Sequence, residues 1–200
     1  MSGPLDRMTS SIPAPWDTVV DWAVTIAIAV AAVLAIKAWV VNPYRIPSSS
    51  MEPTLHCAAP EPGCESGSSD RVLANRFIYR FSDPERGDIV VFETTPEAER
   101  VCPGPGGVFV KRLVGLPGDT IEVRDGQLYL NDVPQPEPYV NGTDAGGNFG
   151  PETVGEDQYF MMGDNRGQSC DSREWGPVAR DDLIGPVFAV YWPLTRLGLR

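Results

Sequence analysis

The chain is organised around Arg45-Ile-Pro-Ser-Ser-Ser-Met-Glu-Pro-Thr-Leu55, a polar loop with one proline before its serines and one after them. Pro47 and Pro53 restrict the backbone and disfavour helix in the residues that precede them. The loop therefore presents three hydroxyls from a stiff, extended backbone: those of Ser48, Ser49 and Ser50. These hydroxyls could belong to a functional site, but the loop alone is equally typical of a serine-rich linker beside a membrane. Later parts of the chain distinguish these two interpretations.

A long apolar run at residues 19–41 precedes this loop. As a helix that rises ~1.5 Å per residue, such a run spans roughly the ~30 Å hydrocarbon core of a bilayer. Trp22 and Trp39 suit the aromatic belts at the two interfaces, and Lys37 lies near one end, where its side chain can reach water. We expect a disordered tail at 1–18, a transmembrane helix at 19–41 and a domain at 42–200.

Two alternatives exist for the apolar run, a cleaved signal peptide and a buried core helix. The signal peptide is disfavoured because no basic region precedes the run and no small-x-small cleavage site follows it before Pro43. The basic residues give no clear orientation across a membrane, since Arg7 lies on one side and Lys37 with Arg45 on the other.

Composition narrows the possible functions. The 16 basic and 27 acidic residues give a net charge of −11, which argues against binding of nucleic acid or other polyanions. The single histidine, His56, excludes a histidine-rich metal site, and we expect neither a metal nor a cofactor. The 20 glycines and 20 prolines predict many turns and short strands rather than a helical bundle.

Beyond residue 42 the pattern predicts a mainly antiparallel β domain. Short alternating or β-branched runs separated by glycine and proline are typical of strands. Asp125-Gly126 is a two-residue turn signal that predicts a hairpin over 120–130. Residues 131–157, rich in Pro, Gly and Asn, are expected to form a loop or a small insertion. The other predicted strands lie within 71–81, 88–92, 108–114, 159–162 and 187–192.

Lys111 lies inside the apolar strand predicted at 108–114. Alternation places it on the same face as Phe109 and Leu113, with Arg112 on the other. Among apolar neighbours a lysine is desolvated, which lowers its pKa and allows it to act as a base for a serine. The alternative is a solvated lysine that protects an edge strand from aggregation.

Four stretches in order resemble the type I signal peptidases, which are membrane-bound Ser/Lys proteases of peptidase family S26. They are Ile46-Pro-Ser-Ser-Ser-Met-Glu-Pro-Thr-Leu55, Arg86-Gly-Asp-Ile-Val-Val-Phe92, Val110-Lys-Arg-Leu-Val-Gly-Leu-Pro-Gly-Asp119 and Met162-Gly-Asp-Asn-Arg-Gly-Gln-Ser-Cys-Asp-Ser-Arg-Glu-Trp-Gly176. They are spread over residues 46–176, within the part of the chain beyond residue 18. This combination favours a catalytic interpretation of both the serine loop and Lys111.

The resemblance implies a role for each matching residue. Ser50 is the expected nucleophile, Lys111 the general base, and Ser48 an oxyanion donor beside the Ser50 backbone N–H. Ser169 is expected to orient the Lys111 amine by a hydrogen bond. Asp171 and Arg173 resemble the family's structural ion pair beneath the site.

The resemblance also implies the substrate and the location. The expected substrates are secretory precursors, cut after small residues of the Ala-x-Ala type and bound as an extended strand beside Ile46 and Val110. The expected location is the cell membrane, in a single pass with a cytoplasmic N-terminus and an extracytoplasmic peptidase domain. The short segment between Lys111 and Ser169 implies a minimal cap. The candidate pocket residues are Tyr44, Ile46, Met51, Leu55, Phe109 and Val110.

The four cysteines permit three pairings, and we expect Cys57–Cys64 and Cys102–Cys170. A Pro/Gly stretch between the first two allows their ends to meet. Cys102 precedes the Lys111 strand and Cys170 follows Ser169, which the resemblance puts against Lys111. The alternative is four free thiols in a reducing compartment.

Two other functions remain open at this point. One is a membrane-anchored, non-enzymatic β domain for binding or assembly. The other is a self-cleaving Ser/Lys repressor-type protease, which the apolar run and the four cysteines disfavour.

Overall fold

A computed structural model describes residues 16–39, 41–102, 107–140 and 147–200. By its internal contacts the chain divides into two units, Met1–Val41 and Asn42–Arg200. The described residues of the first unit form a helix, α1 (Trp16–Trp39). It begins inside the tail predicted at 1–18, and the remaining tail residues lie outside the described part of the chain.

Helix α1 is apolar between Asp21 and Lys37. Its first turns include a hydrogen bond from the Thr25 hydroxyl to the Asp21 carbonyl, 2.8 Å long. Within the described residues, no helix has both the length and the apolar character needed to cross a bilayer. The transmembrane helix predicted at 19–41 is therefore not confirmed.

The remainder of the chain is mainly β structure, as predicted. Two short helices interrupt it, α2 (Pro96–Val101) and α3 (Ser172–Trp175). The strands are β1 (Val41–Arg45), β2 (Arg71–Asn75), β3 (Ile89–Glu93), β4 (Val108–Gly115), β5 (Thr120–Arg124), β6 (Gln127–Leu130), β7 (Val133–Pro134), β8 (Phe149–Thr153), β9 (Gln158–Met162), β10 (Val178–Ala179), β11 (Leu183–Trp192) and β12 (Gly198–Leu199).

The described strands form two sheets. The larger has the order β1-β2-β11-β3-β4-β9-β10, with β12 added against β11, and the smaller has the order β7-β6-β5-β8. The long strand β11 changes partner along its length, from β3 at Leu183–Pro186 to β2 at Val187–Trp192. Gly185 permits this crossing, because a Cβ there would lie 2.0 Å from the Asn75 carbonyl oxygen.

Three apolar clusters fill the fold, and alternation along β3 separates the first two. Ile89 and Val91 belong to the cluster that also contains Ile46 and Met51, whereas Val90 and Phe92 point into the second. The third cluster joins the small sheet to the ends of β4 and β9. The minimal cap implied by the resemblance corresponds to this four-stranded sheet, which shares its core with the ends of β4 and β9.

Several secondary-structure predictions differ from the structure in extent, and the strand predicted at 187–192 begins four residues earlier, at Leu183. The strand expected over 71–81 ends at Asn75, whose side-chain carbonyl accepts hydrogen bonds from the backbone of Phe77 and Ile78 and so turns the chain. The region expected to be a loop or a small insertion, 131–157, contains the short strands β7 and β8. Strand β8 pairs with β5, a contact that the glycine and proline within it do not signal. The hairpin at Asp125-Gly126 is confirmed, since Arg124 pairs with Gln127.

Candidate active site

The serine loop forms one turn of 3-10 helix, Ser49–Met51, packed against the first apolar cluster. Ile46 and Met51 are almost fully buried on either side of the serines and hold the turn in the core. Ser49 and Ser50 are buried as well, whereas Ser48 is exposed. The two apolar neighbours therefore fix the backbone that carries Ser50.

Strand β4 brings Lys111 to this turn. Lys111 pairs with Val90 in the sheet and shares its face with Phe109 and Leu113, as alternation predicts. Its Nζ lies 2.6 Å from the Ser50 Oγ, a hydrogen-bonding distance between groups 61 residues apart in the chain. Only 5% of Lys111 is exposed. Burial lowers the pKa of this amine to about 8, because the ammonium form loses its hydration.

Three charged side chains also act on the pKa of Lys111. Asp171 and Asp164 raise it by favouring the ammonium, and Arg173 lowers it. Asp171 and Arg173 act in opposite directions because their charges are opposite, and they form an ion pair with Nε 2.8 Å from Oδ1. Burial has the largest effect, so the net shift is downward.

The predicted Asp171–Arg173 pair is thus present in the structure, and it is buried. The other Asp171 oxygen accepts a hydrogen bond from the Gly163 N–H at 2.9 Å, and the Arg173 guanidinium donates to the carbonyl of Arg166 at 2.8 Å. These bonds join the residues 163–166 to helix α3. The pair therefore supports the loop that lies beneath the serine turn.

A second buried ion pair links β4 to the serine loop. Arg112, on the opposite face from Lys111, donates two hydrogen bonds of 2.8 and 2.7 Å to the Asp164 carboxylate. Asp164 also accepts a 2.5 Å hydrogen bond from the hydroxyl of Thr54. The sequence motifs contain all three residues, but only the tertiary structure reveals that they connect the strand of Lys111 to the segment after Ser50.

Ser48 lies where its expected role as an oxyanion donor requires, whereas Ser169 does not make its expected hydrogen bond to Lys111. The Ser48 Oγ lies 3.3 Å from the Ser50 Oγ, close enough to act on the same reacting group. The Ser169 Oγ is buried and has no hydrogen-bond partner among the described residues. The hydrogen bond expected between Ser169 and Lys111 is therefore not formed in this structure. Its Oγ lies against Gly163 instead, where an added Cβ would meet it at 2.2 Å.

Ser50 and Lys111 lie in the wall of a cavity of about 460 Å³. Five of the six predicted pocket residues line it: Tyr44, Ile46, Met51, Phe109 and Val110. Leu55 does not, because it is fully buried in the first apolar cluster. Val108 and Gln168, which were not predicted as pocket residues, also contribute to the wall. The strand pattern already contained Val108, and the fourth motif contained Gln168 directly before Ser169, but neither residue had been assigned to the pocket.

The structure joins the cysteines in the two expected pairs, with Cα atoms 5.2 Å apart for Cys57–Cys64 and 6.1 Å apart for Cys102–Cys170. The second pair lines the cavity. That these pairs are oxidised in the cell stays a prediction.

The imidazole of His56 contacts Glu52 and not Ser50 or Lys111. Its Nδ1 contacts the buried carboxylate of Glu52, which also accepts a 3.0 Å hydrogen bond from the backbone N–H of Cys57. The His56 backbone N–H donates to Asp70 at 2.9 Å. Glu52, to which the sequence analysis gave no role, thus ties the end of the serine loop to the start of the disulfide-closed loop.

The site carries no clear set of metal ligands. Within the described ranges, no three histidine, cysteine, aspartate or glutamate side chains lie close enough together to hold a metal ion. The chemistry available to the described residues is that of a hydroxyl beside a desolvated amine. Such a pair is suited to acyl transfer through a serine ester.

Comparisons with known proteins point to one family. Residues 19–192 match a family model described as signal peptidase, peptidase S26. A probable signal peptidase I-2 from Synechocystis sp. is 38% identical over 185 residues, which cover 92% of this chain and 78% of the relative. A signal peptidase I from Leptolyngbya laminosa is 37% identical, with coverage of 87% and 80%. The crystal structure of a signal peptidase I from Enterococcus faecalis V583 has 34% identity and a TM-score of 0.43, and it covers 52% of this chain and 97% of that one.

Proposed function

The chain belongs to the signal peptidase family, peptidase S26, and we propose that it is a serine endopeptidase that removes signal peptides from secretory precursors. One observation carries the proposal: the Lys111 Nζ lies 2.6 Å from the Ser50 Oγ in the wall of a cavity. The names of its relatives do not favour the two other functions, a binding domain and a repressor-type protease.

The proposed reaction begins with Lys111 in its neutral form. Its amine takes the Ser50 proton as the Ser50 Oγ attacks the scissile carbonyl carbon. The negative charge that develops on the carbonyl oxygen is stabilised by the Ser50 N–H and the Ser48 hydroxyl. The lysine then returns the proton to the leaving amine, the C–N bond breaks, and the signal peptide remains as an ester on Ser50. Water, deprotonated by Lys111, hydrolyses that ester.

The cavity supports a preference for small substrate residues. Its walls carry Ile46, Phe109 and Val110, and these apolar side chains limit the space beside the two site residues. We propose that the precursor lies extended between the segments of Ile46 and Val110, with Ala, Gly or Ser at the −1 and −3 positions. A precursor with Leu at −1 is expected to be cleaved at least tenfold more slowly than one with Ala. Equal rates would contradict the assigned walls.

The test of the activity uses a purified secretory precursor and three variants. Wild type is expected to release the mature protein, whereas Ser50→Ala and Lys111→Ala are expected to lose at least a thousandfold in rate. Ser82→Ala is the matched control, because Ser82 is exposed and its hydroxyl donates to the Ile78 carbonyl within its own turn. Cleavage by Ser50→Ala at the wild-type rate would exclude the proposed nucleophile.

We further propose a single-pass membrane location with a cytoplasmic N-terminus and the domain at 42–200 outside the cytoplasm. The support is helix α1, in which no charged residue lies between Asp21 and Lys37. Its apolar side chains are largely exposed, with Ile28 at 60% and Val33 at 62%. Resistance to carbonate extraction, together with digestion of the domain only from the extracytoplasmic side, is the expected result. Extraction by carbonate would contradict the membrane proposal.

A further inference from the structure

Gln168 lies on a turn that is bonded directly to the serine turn. The turn Arg166–Gln168 is preceded by Asn165, whose backbone N–H donates to the Ser50 carbonyl at 3.1 Å. The Asn165 side chain donates to the Ser49 carbonyl, also at 3.1 Å. The backbone that carries Gln168 is thus held in register with Ser50.

The Gln168 side chain is oriented by two further contacts. Its Oε1 accepts a 3.1 Å hydrogen bond from the Ser49 hydroxyl. Gly63 packs against the same oxygen so closely that an added Cβ would lie 1.9 Å from it. Gly63 belongs to the loop that the Cys57–Cys64 pair closes and that Glu52 anchors through the Cys57 N–H.

The contacts with Ser49 and Gly63 involve Oε1 of Gln168, so its amide nitrogen remains available to donate a hydrogen bond to a ligand. Among the described residues it has no hydrogen-bond partner, although Gln168 itself lines the cavity that holds Ser50 and Lys111. Because Oε1 is held by Ser49, the side chain offers this cavity a donor. An extended peptide offers the matching acceptors, its backbone carbonyl oxygens.

We propose that Gln168 is a substrate-binding residue, whose amide N–H donates to a backbone carbonyl oxygen of the precursor in the cavity that holds Ser50. This inference rests on the proposed function. Gln168 is exposed and packs into none of the three apolar clusters. The proposed hydrogen bond from its amide to the precursor therefore contributes to substrate binding and not to the stability of the fold. The disulfide-closed loop then acts on substrate affinity, because it holds the amide in one orientation through Gly63.

The test separates binding from turnover. In a Ser50→Ala background, the Kd of a fluorescent precursor peptide is measured by anisotropy at pH 8. Gln168→Glu is the sharpest variant, since it preserves the volume and the acceptor for Ser49 but replaces the amide donor by a second acceptor. It is expected to raise the Kd about tenfold, and Gln168→Leu about fivefold, as for the loss of one neutral hydrogen bond. Gln127→Glu is the matched control for the added charge, because Gln127 is exposed on the small sheet and does not line the cavity; its amide donates to the Leu128 and Gln135 carbonyls, so circular dichroism checks that the variant is folded.

With an intact Ser50, the uncharged variant Gln168→Leu is expected to raise the KM without moving the midpoint of the pH profile, which a merely structural defect beside Lys111 would shift. Ser49→Ala should give a smaller increase in Kd and add little to that of Gln168→Leu, because both changes disturb the same amide. An unchanged Kd for Gln168→Glu would overturn this inference while leaving the proposed function intact. Absence of cleavage by wild type would overturn the proposed function, and the anisotropy measurement would still decide the role of Gln168.

Discussion

The strongest prediction concerns how cleavage depends on pH. The proposed base, Lys111, must be neutral to accept the Ser50 proton, and burial lowers its pKa from the ordinary 10.5 to about 8. About a tenth of the enzyme therefore carries the neutral amine at pH 7, and about nine tenths at pH 9. The value of kcat/KM should rise about tenfold between those two pH values and then level off.

The assay follows an internally quenched peptide with an Ala-x-Ala cleavage site from pH 6 to pH 10. Circular dichroism at each pH is the control for folding. The variant Asp171→Asn removes a carboxylate that raises the pKa of Lys111, so its profile should move to lower pH. A wild-type profile that rises only near pH 10.5 would refute the desolvation of Lys111. A shift of the Asp171→Asn profile to higher pH would refute the electrostatic account.

Four further predictions concern stability and the neighbouring residues. Lys111→Met should stabilise the protein more at pH 7 than at pH 10, by roughly 2 kcal/mol in denaturant unfolding, because the lowered pKa destabilises the folded state increasingly as pH falls from 10.5 towards 8. An equal effect at both pH values would contradict this. Asp164→Asn should lower the free energy of unfolding by about 3 kcal/mol and reduce cleavage, since the buried Arg112 loses its partner. His56→Ala should keep most of the cleavage activity. Loss of that activity in a variant that remains folded would exclude a Ser/Lys mechanism. The double variant Cys102→Ser/Cys170→Ser should lose about 2–4 kcal/mol, provided that non-reducing peptide mapping recovers Cys102–Cys170 from the wild type.

Much of the fold follows from patterns that act over a few residues. Alternation along 108–114 put Lys111 beside Phe109 and Leu113, and the Asp125-Gly126 turn fixed the hairpin of β5 and β6. These features depend on side-chain direction and turn geometry, which neighbouring residues determine. Strand β8 could not be predicted in this way, because its glycine and proline do not favour a strand. Its pairing with β5 stabilises the extended backbone instead.

The site divides in the same way. The sequence by itself determined which groups are chemically competent: a serine turn between two prolines, a lysine in an apolar strand and the charged residues of the four motifs. The tertiary structure decided their distances and environments. It brought Lys111 to 2.6 Å from Ser50, tied Asp164 to Thr54 across 110 residues and turned Gln168 towards Ser49 across 119. It also left Ser169 without the expected bond to Lys111. The reason is physical: a side chain's identity is local, whereas its burial, its pKa and its partners depend on segments that meet only when the whole sheet has formed.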